Sequence, residues 1–212
     1  MVSSPVPAGV DYATLAGPAQ LEQEIRKSRF LALAESVQTA EEALAFIEAR
    51  RHAGANHHCW AYRIGSAYRF NDDGEPGGTA GKPILQAIEG QGLDGVVVLV
   101  VRWFGGIKLG TGGLIRAYGG CAAECLRLAA RRTVVACVTA HFQCGYGEQG
   151  AVRQKLALYE ASDIRQDFGN DRIAFTVQVP AAHQAGLAQA LADITRGQDG
   201  FSLSARAADT SL

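Results

Sequence analysis

No stretch of these 212 residues is long and apolar enough to cross a bilayer: the longest wholly apolar run covers residues 95–101, against the roughly 20 residues a spanning helix needs. No secretory hydrophobic region precedes the first cysteine, and no two of the five cysteines (Cys59, Cys121, Cys125, Cys137, Cys144) form a Cys-x-x-Cys pair. That odd set argues against a disulfide framework and predicts reduced, mostly buried thiols in a cytoplasmic protein. A large charge of either sign is missing too. The net charge of −1 gives no global footprint for nucleic acid or an anionic membrane. Nucleotide motifs fail as well: no Gly-x-x-x-x-Gly-Lys-Ser/Thr spacing follows Gly106, and Gly110-Thr111-Gly112 begins a Gly-x-Gly-x-x-Gly whose last place is held by Ile115. A zinc site needs about four ligands, and His57-His58-Cys59 has no companion cluster.

What the chain does have is concentrated in residues 102–119. This segment follows an unbroken apolar run, residues 96–101, of the kind that fills a strand buried on both faces. It holds five glycines before Leu114, three cations and no acidic residue. A strand ends, a glycine-rich loop follows, and a helix starts near Gly112. Such a junction favours anions, because the first helical N–H groups lack partners and carry the positive end of the dipole. On the binding reading, the amides of Gly105, Gly106, Gly110, Thr111, Gly112 and Gly113 face a phosphate or nucleic-acid backbone beside Arg102, Lys108 and Arg116. Trp103 and Phe104 then stack a base. The competing reading gives the glycines to tight turns and the aromatics to the core, but leaves the three cations unexplained.

Nearly half of the chain is apolar, enough for a real core. Residues 1–19 carry three prolines and little periodicity, and read as a flexible N-terminal arm. In residues 20–132 the spacing predicts two extended stretches around Lys27-Ser28-Arg29, a helix from Thr39 to about Arg51 opened by a Thr39/Glu42 capping box, a hairpin around Gly65-Ser66, and a short helix near residues 80–89. The buried strand and a long helix over about residues 112–131 complete it, and Gly119-Gly120 predict that helix to pack closely on a sheet. In residues 133–212 apolar alternation and helical stripes follow one another as β-α-β-β-α-β, the ferredoxin-like split pattern. Its last strand is expected at Phe201, Leu203 and Ala205.

Asp72, Asp73 and Glu75 are hard oxygen ligands of the type that hold Mg²⁺ through water. Asp-Asp-Gly and Glu-Pro-Gly-Gly are also strong turn chemistry, with Thr79 placed to cap the next helix. The turn is the favoured reading, and no metal or cofactor is assigned. His57 and Cys59 fall on one face of a strand and His58 on the other. Cys121 and Cys125, one helical turn apart, read as core packing.

Four blocks in order resemble the YigZ/IMPACT family: Lys27-Ser28-Arg29-Phe30, residues 55–61 around His57-His58-Cys59-Trp60, residues 72–85 from Asp72-Asp73-Gly74-Glu75 through Thr79, and residues 101–118. The resemblance covers residues 20–132, and the tail is similar to the smaller C-terminal domain of bacterial members. It implies an α+β protein of two domains: first a left-handed β-α-β fold like domain IV of elongation factor G, then a ferredoxin-like domain like its domain V. It also implies a link to translation, since eukaryotic relatives, which carry a further N-terminal domain, act in its control.

Three functions compete on these grounds. The leading expectation is a cytoplasmic binding or regulatory protein contacting RNA, the ribosome or a translation-associated partner. On it the contacts come from Arg102, Trp103, Phe104, Gly105, Gly106, Lys108, Gly110, Thr111, Gly112, Gly113 and Arg116, with Asp72, Asp73, Glu75, Thr79 and His57 alongside. No membrane partner and no catalytic residue are expected. One alternative is an enzyme holding a phosphorylated metabolite in the same loop. The other is a protein–protein regulator without nucleic acid.

Overall fold

The computed structural model describes residues 10–204, which form two compact units, one holding Tyr12–Val134 and the other starting at Val135. Along the first run β1 (Tyr12–Leu15), β2 (Ala19–Ile25), β3 (Ser28–Ser36), α1 (Ala40–Ala49), β4 (His57–Ile64), β5 (Ala67–Asn71), α2 (Gly81–Gly90), β6 (Val96–Trp103), α3 (Thr111–Leu128) and β7 (Arg131–Val134). Five strands make an antiparallel sheet in the order β2-β3-β6-β4-β5. The last of these strands in sequence therefore lies at the centre. Its six apolar residues are wholly buried. Val96, Val98 and Val100 pack with residues of α2 and α3, whereas Val97, Leu99 and Val101 pack with residues of α1. Covering on both faces is why this run does not alternate.

Local chemistry sets the turns and caps. The Thr39 hydroxyl accepts the Glu42 N–H at 3.2 Å, and the Glu42 carboxylate accepts the N–H of Gln38 at 2.7 Å, one residue ahead of the position a standard capping box uses. A two-residue turn joins β2 to β3, with Ile25 opposite Ser28. Arg26 and Lys27 fill it at φ 47° and 63°. Positive φ at both central residues is the demand of a type I′ hairpin turn, normally met by Asn-Gly.

Three expectations are corrected here. Residues 12–15, placed in a flexible arm, form β1 and pair antiparallel with β7. Leu15 is wholly buried and the Thr14 hydroxyl donates to the Gly95 carbonyl at 3.0 Å; a four-residue strand is too short to show a period. The long helix stops at Leu128, because the chain turns extended at Ala129 and enters that pairing. The third correction concerns only the glycines of α3. The helix does pack on the sheet as expected, sharing a core with Phe30, Ala32 and Val98. The close approach at Gly119, however, is to a neighbouring helix, where a Cβ would lie 3.4 Å from Pro83 of α2, while Gly120 faces open space. Residues 1–9 and Ala205 lie outside the described residues.

In the second unit β8 (Cys137–Gly145), α4 (Gln149–Leu158), β9 (Ser162–Phe168), β10 (Arg172–Pro180), α5 (Gln184–Thr195) and β11 (Ser202–Ser204) run β-α-β-β-α-β. The strands form an antiparallel sheet in the order β11-β8-β10-β9. Ile173, Phe175, Val177 and Val179 alternate inward along β10 to meet Val152 and Leu156 of α4 and Leu187 and Leu191 of α5. No helix among the described residues is long and apolar enough to cross a membrane.

Truncating Leu99 at the centre of β6 to Ala leaves a cavity with few ways to collapse. The expected loss is about 2–5 kcal/mol, read as a lower urea midpoint with an unchanged slope.

Candidate anion-binding site

The end of β6 is where the central strand meets three other segments. Arg102 follows the even-numbered valines onto the face covered by α2 and α3, and only 5% of it is exposed. Its Nη1 donates to Glu75 Oε1 at 2.5 Å and its Nη2 to the Ser28 hydroxyl at 3.3 Å. The guanidinium carbon lies 5.5 Å from the ring centres of both Phe30 and Phe104. The same carboxylate oxygen accepts the Tyr118 hydroxyl of α3 at 2.7 Å and faces His57 Nε2 at 3.8 Å. One carboxylate thus ties β6, α3, β4 and the loop of residues 72–80 together.

The remaining acidic side chains serve the chain's own amides. Asp72 accepts from the N–H groups of Gly78, Ala80 and Gly81 at 2.8–2.9 Å, which caps the start of α2 from outside the helix. Asp73 accepts from the His58 N–H at 2.6 Å. His57 Nδ1 lies 2.8 Å from the Asp73 carbonyl; a carbonyl only accepts, so that nitrogen carries the proton. Three carboxylates hold three different sets of partners, and among the described residues no His/Cys/Asp/Glu group is arranged to hold a metal ion.

The structure therefore moves several expected contacts beneath the surface. Arg102, placed on a phosphate, is interred and neutralised by Glu75. Asp72, Asp73 and Glu75 are engaged internally. Thr79 does not cap α2, because its hydroxyl donates to the Pro76 carbonyl at 2.6 Å and the residue is buried. His57 braces the acidic loop. Trp103, expected to stack a base, is covered on its face by Arg29 at 4.4 Å and met at its edge by His52. The Gly105 N–H donates to Ser28 Oγ, and a Cβ on Gly105 would fall 1.8 Å from the Lys27 carbonyl oxygen. That glycine is there so the loop can lie against the β2–β3 turn.

Above this buried layer the loop is open. Phe104, Gly106, Lys108, Gly110, Thr111, Gly112 and Arg116 are exposed, and Gly113 is half-buried. Gly106 and Gly110 take φ of 85° and 72°, which glycine alone adopts cheaply. Gly110 caps α3 without a side-chain bond, and the first turn holds no acidic residue. The first amide satisfied within the helix is that of Leu114, bonded to the Gly110 carbonyl at 2.9 Å, which leaves the N–H groups of Thr111, Gly112 and Gly113 for the outside. Gly112 has neither a positive φ nor a crowded Cβ direction; the nearest atom would be Arg116 Nη1 at 3.7 Å.

The sequence reading missed the β2–β3 turn as part of this surface. Arg26 and Lys27 are exposed, and the close approach of Gly105 sets their turn beside the loop. Among the described residues no carboxylate lies within 4.0 Å of the charged group of Arg26, Lys27, Lys108 or Arg116. The available signal was two cations in a two-residue hairpin turn, a place that favours Asn and Gly.

The first unit is thus a helix-covered antiparallel sheet bearing a basic, glycine-rich strand-to-helix junction, and the tail is a second, smaller α+β unit. Residues 26–126, which span the whole junction, match the Impact N-terminal domain family. A Thermus thermophilus protein, "IMPACT family member in pol 5'region", is 47% identical over 175 residues, covering 82% of this chain and 97% of that protein. "IMPACT family member YigZ" of Escherichia coli is 37% identical over 189 residues, 86% of this chain and 92% of its own. A crystal structure of a hypothetical protein with 34% identity covers 94% of this chain and 98% of its own at a TM-score of 0.66. The chain belongs to the IMPACT family.

Two outcomes follow for this layer. Glu75→Gln strands a buried guanidinium and should cost about 3–5 kcal/mol, whereas replacing both partners with apolar residues (Glu75→Leu with Arg102→Met) should recover most of it; chemical denaturation of the two single variants and the double variant gives the coupling. The second concerns alkaline pH. Burial pushes the thiols of Cys59, Cys121 and Cys125 above their ordinary value of 9.0, Cys121 to about 12 and Cys125 to about 11. Burial raises the Tyr118 hydroxyl as well. Above pH 9 the unfolded chain releases thiol protons that the folded one keeps, so stability should fall as pH rises from 9. Melting temperatures across pH 7–11 check the sign, and Cys121→Ala and Cys125→Ala should flatten the slope.

Proposed function

We propose that the protein is a translation-linked binding protein whose first unit takes the phosphate backbone of RNA on the surface formed by the β2–β3 turn, residues 104–110 and the start of α3. The observation that carries this reading is four exposed cations, Arg26, Lys27, Lys108 and Arg116, free of carboxylate partners around an uncapped helix start. The cost of two of them supports it. Left-handed backbone at a residue other than glycine costs about 1–2 kcal/mol, and among the described residues no carboxylate partner of the Arg26 or Lys27 charge offsets that. Gly112 adds to this, since a glycine at a backbone conformation that Ala also adopts gives up about 0.4–1 kcal/mol, and nothing among the described residues requires it.

The link to translation rests on the elongation factor G-like domains that the resemblance to the family implies. The first unit has the β-α-β crossover that such a fold requires, β3 to α1 to β4 with β6 between the parallel pair. The tail's order β11-β8-β10-β9 accords with the split β-α-β pattern of domain V. Control of translation by eukaryotic members points the same way. An enzyme acting on a phosphorylated metabolite is the weaker reading, because the acids nearest the loop hold the chain's own groups.

Four phosphate contacts with a single strand imply a slope of about −2.8 in log affinity against log salt, or a loss of about fifty-fold between 50 and 200 mM. Fluorescence anisotropy with a labelled RNA should show this, and Lys108→Ala with Arg116→Ala should flatten the slope by about 1.4. A second test separates binding from folding. Changing the turn to Asn-Gly (Arg26→Asn with Lys27→Gly), and separately Gly112→Ala, should each raise stability by about 1 kcal/mol while weakening RNA binding. RNA affinity that ignores salt and all of these variants overturns the reading.

A further inference from the structure

Cations alone would suit any polyanion, single-stranded or duplex. The same surface also exposes three large apolar side chains within residues 104–116: Phe104 at 45%, Ile107 at 41% and Ile115 at 43%. They interleave with Lys108 and Arg116, and no acidic residue occurs between Asp94 and Glu124. The ring of Phe104 is held from beneath, with the buried Arg102 guanidinium 5.5 Å from its centre and its own N–H donating to Asn56 Oδ1 at 2.7 Å. The backbone is thereby anchored at Phe104, and the ring stays nearly half exposed beside the guanidinium. An A-form duplex offers sugar, phosphate and hydrogen-bonding base edges, and would leave that apolar surface against polar groups. A single strand offers the flat faces of its bases beside its phosphates. Thr111 is the only residue of 104–116 with a neutral polar side chain, so the surface has almost no means of reading base edges.

Resting on the RNA-binding reading above, we infer that this surface is selective for single-stranded RNA and tolerant of sequence, with Phe104 stacking on a base while Lys27, Lys108 and Arg116 hold the flanking phosphates. The apolar side chains reject the duplex, and the cations supply affinity common to both forms.

The test is anisotropy of the full chain with a labelled 12-nucleotide RNA, alone and annealed to its complement, at one salt concentration. The single strand should bind at least about ten-fold tighter. Phe104→Ala should weaken single-strand binding about five-fold or more, the low end for a lost stacking contact, with duplex binding equal or stronger. Phe104→Trp should restore it and Phe104→Leu should not. Ile107→Ser supplies a second variant if the Phe104 variants melt early. Equal affinity for the two forms, or equal loss of both in Phe104→Ala, overturns the selectivity while RNA binding stands. If neither form binds, the function proposed above fails and takes this inference with it. If Phe104→Ala instead abolishes concentration-dependent self-association in sedimentation and leaves RNA binding unchanged, the patch is an interface between copies, which also overturns the inference.

Discussion

The buried ion pair between Arg102 and Glu75 is the constraint on which the junction depends. A guanidinium and a carboxylate taken from water lose several kcal/mol of solvation each, which close geometry and further hydrogen bonds must offset. Tyr118 and Ser28 provide those bonds. In doing so they fix four chain segments that are far apart in sequence. The exposed loop is built on that knot: the Phe104 ring lies over the guanidinium, Gly105 lies on the Lys27 carbonyl, and Tyr118 ties α3 to the same carboxylate two turns into the helix. A charge expected to meet the ligand instead builds the platform that the ligand would meet.

This division into a buried charged layer and an exposed one explains which parts were legible in the sequence. The apolar run of β6, the hairpin at Gly65-Ser66 and the alternation of β10 follow from period and turn chemistry, which are local. Exposure of Lys108 in the loop and of Arg116 on the first turns of α3 was also readable, because cations with no acid nearby tend to face solvent. The fate of Arg102 was not. It depends on Glu75, 27 residues earlier, and nothing in the local pattern separates a cation bound for a phosphate from one bound for a buried carboxylate. Asp72 is the same kind of case, since it caps a helix that starts nine residues later.

Stability is conceded at several points of the same surface. Two non-glycine residues hold left-handed backbone in the β2–β3 turn, α3 starts without a side-chain cap, and two glycines sit in its first turn. The apolar core is closely covered: β6 has helices on both sides, and the second unit stacks Phe142 on Phe175 at 4.9 Å. Left-handed backbone also occurs at Asp73, Glu160, Asp163 and Arg196; at this surface it coincides with cations that have no carboxylate partner among the described residues.

The central place of β6 also shapes how the first unit is made. As the chain lengthens during synthesis, β2 with β3 and β4 with β5 can pair as separate hairpins, but β3 and β4 both await the same late strand. Until residue 103 has emerged, each hairpin carries an unpaired edge and an uncovered apolar face, the condition in which nascent chains adhere to one another. Closing the sheet then brings both hairpins together in a single step. The nascent first unit is therefore most in need of chaperone protection over the interval between the fourth and sixth strands.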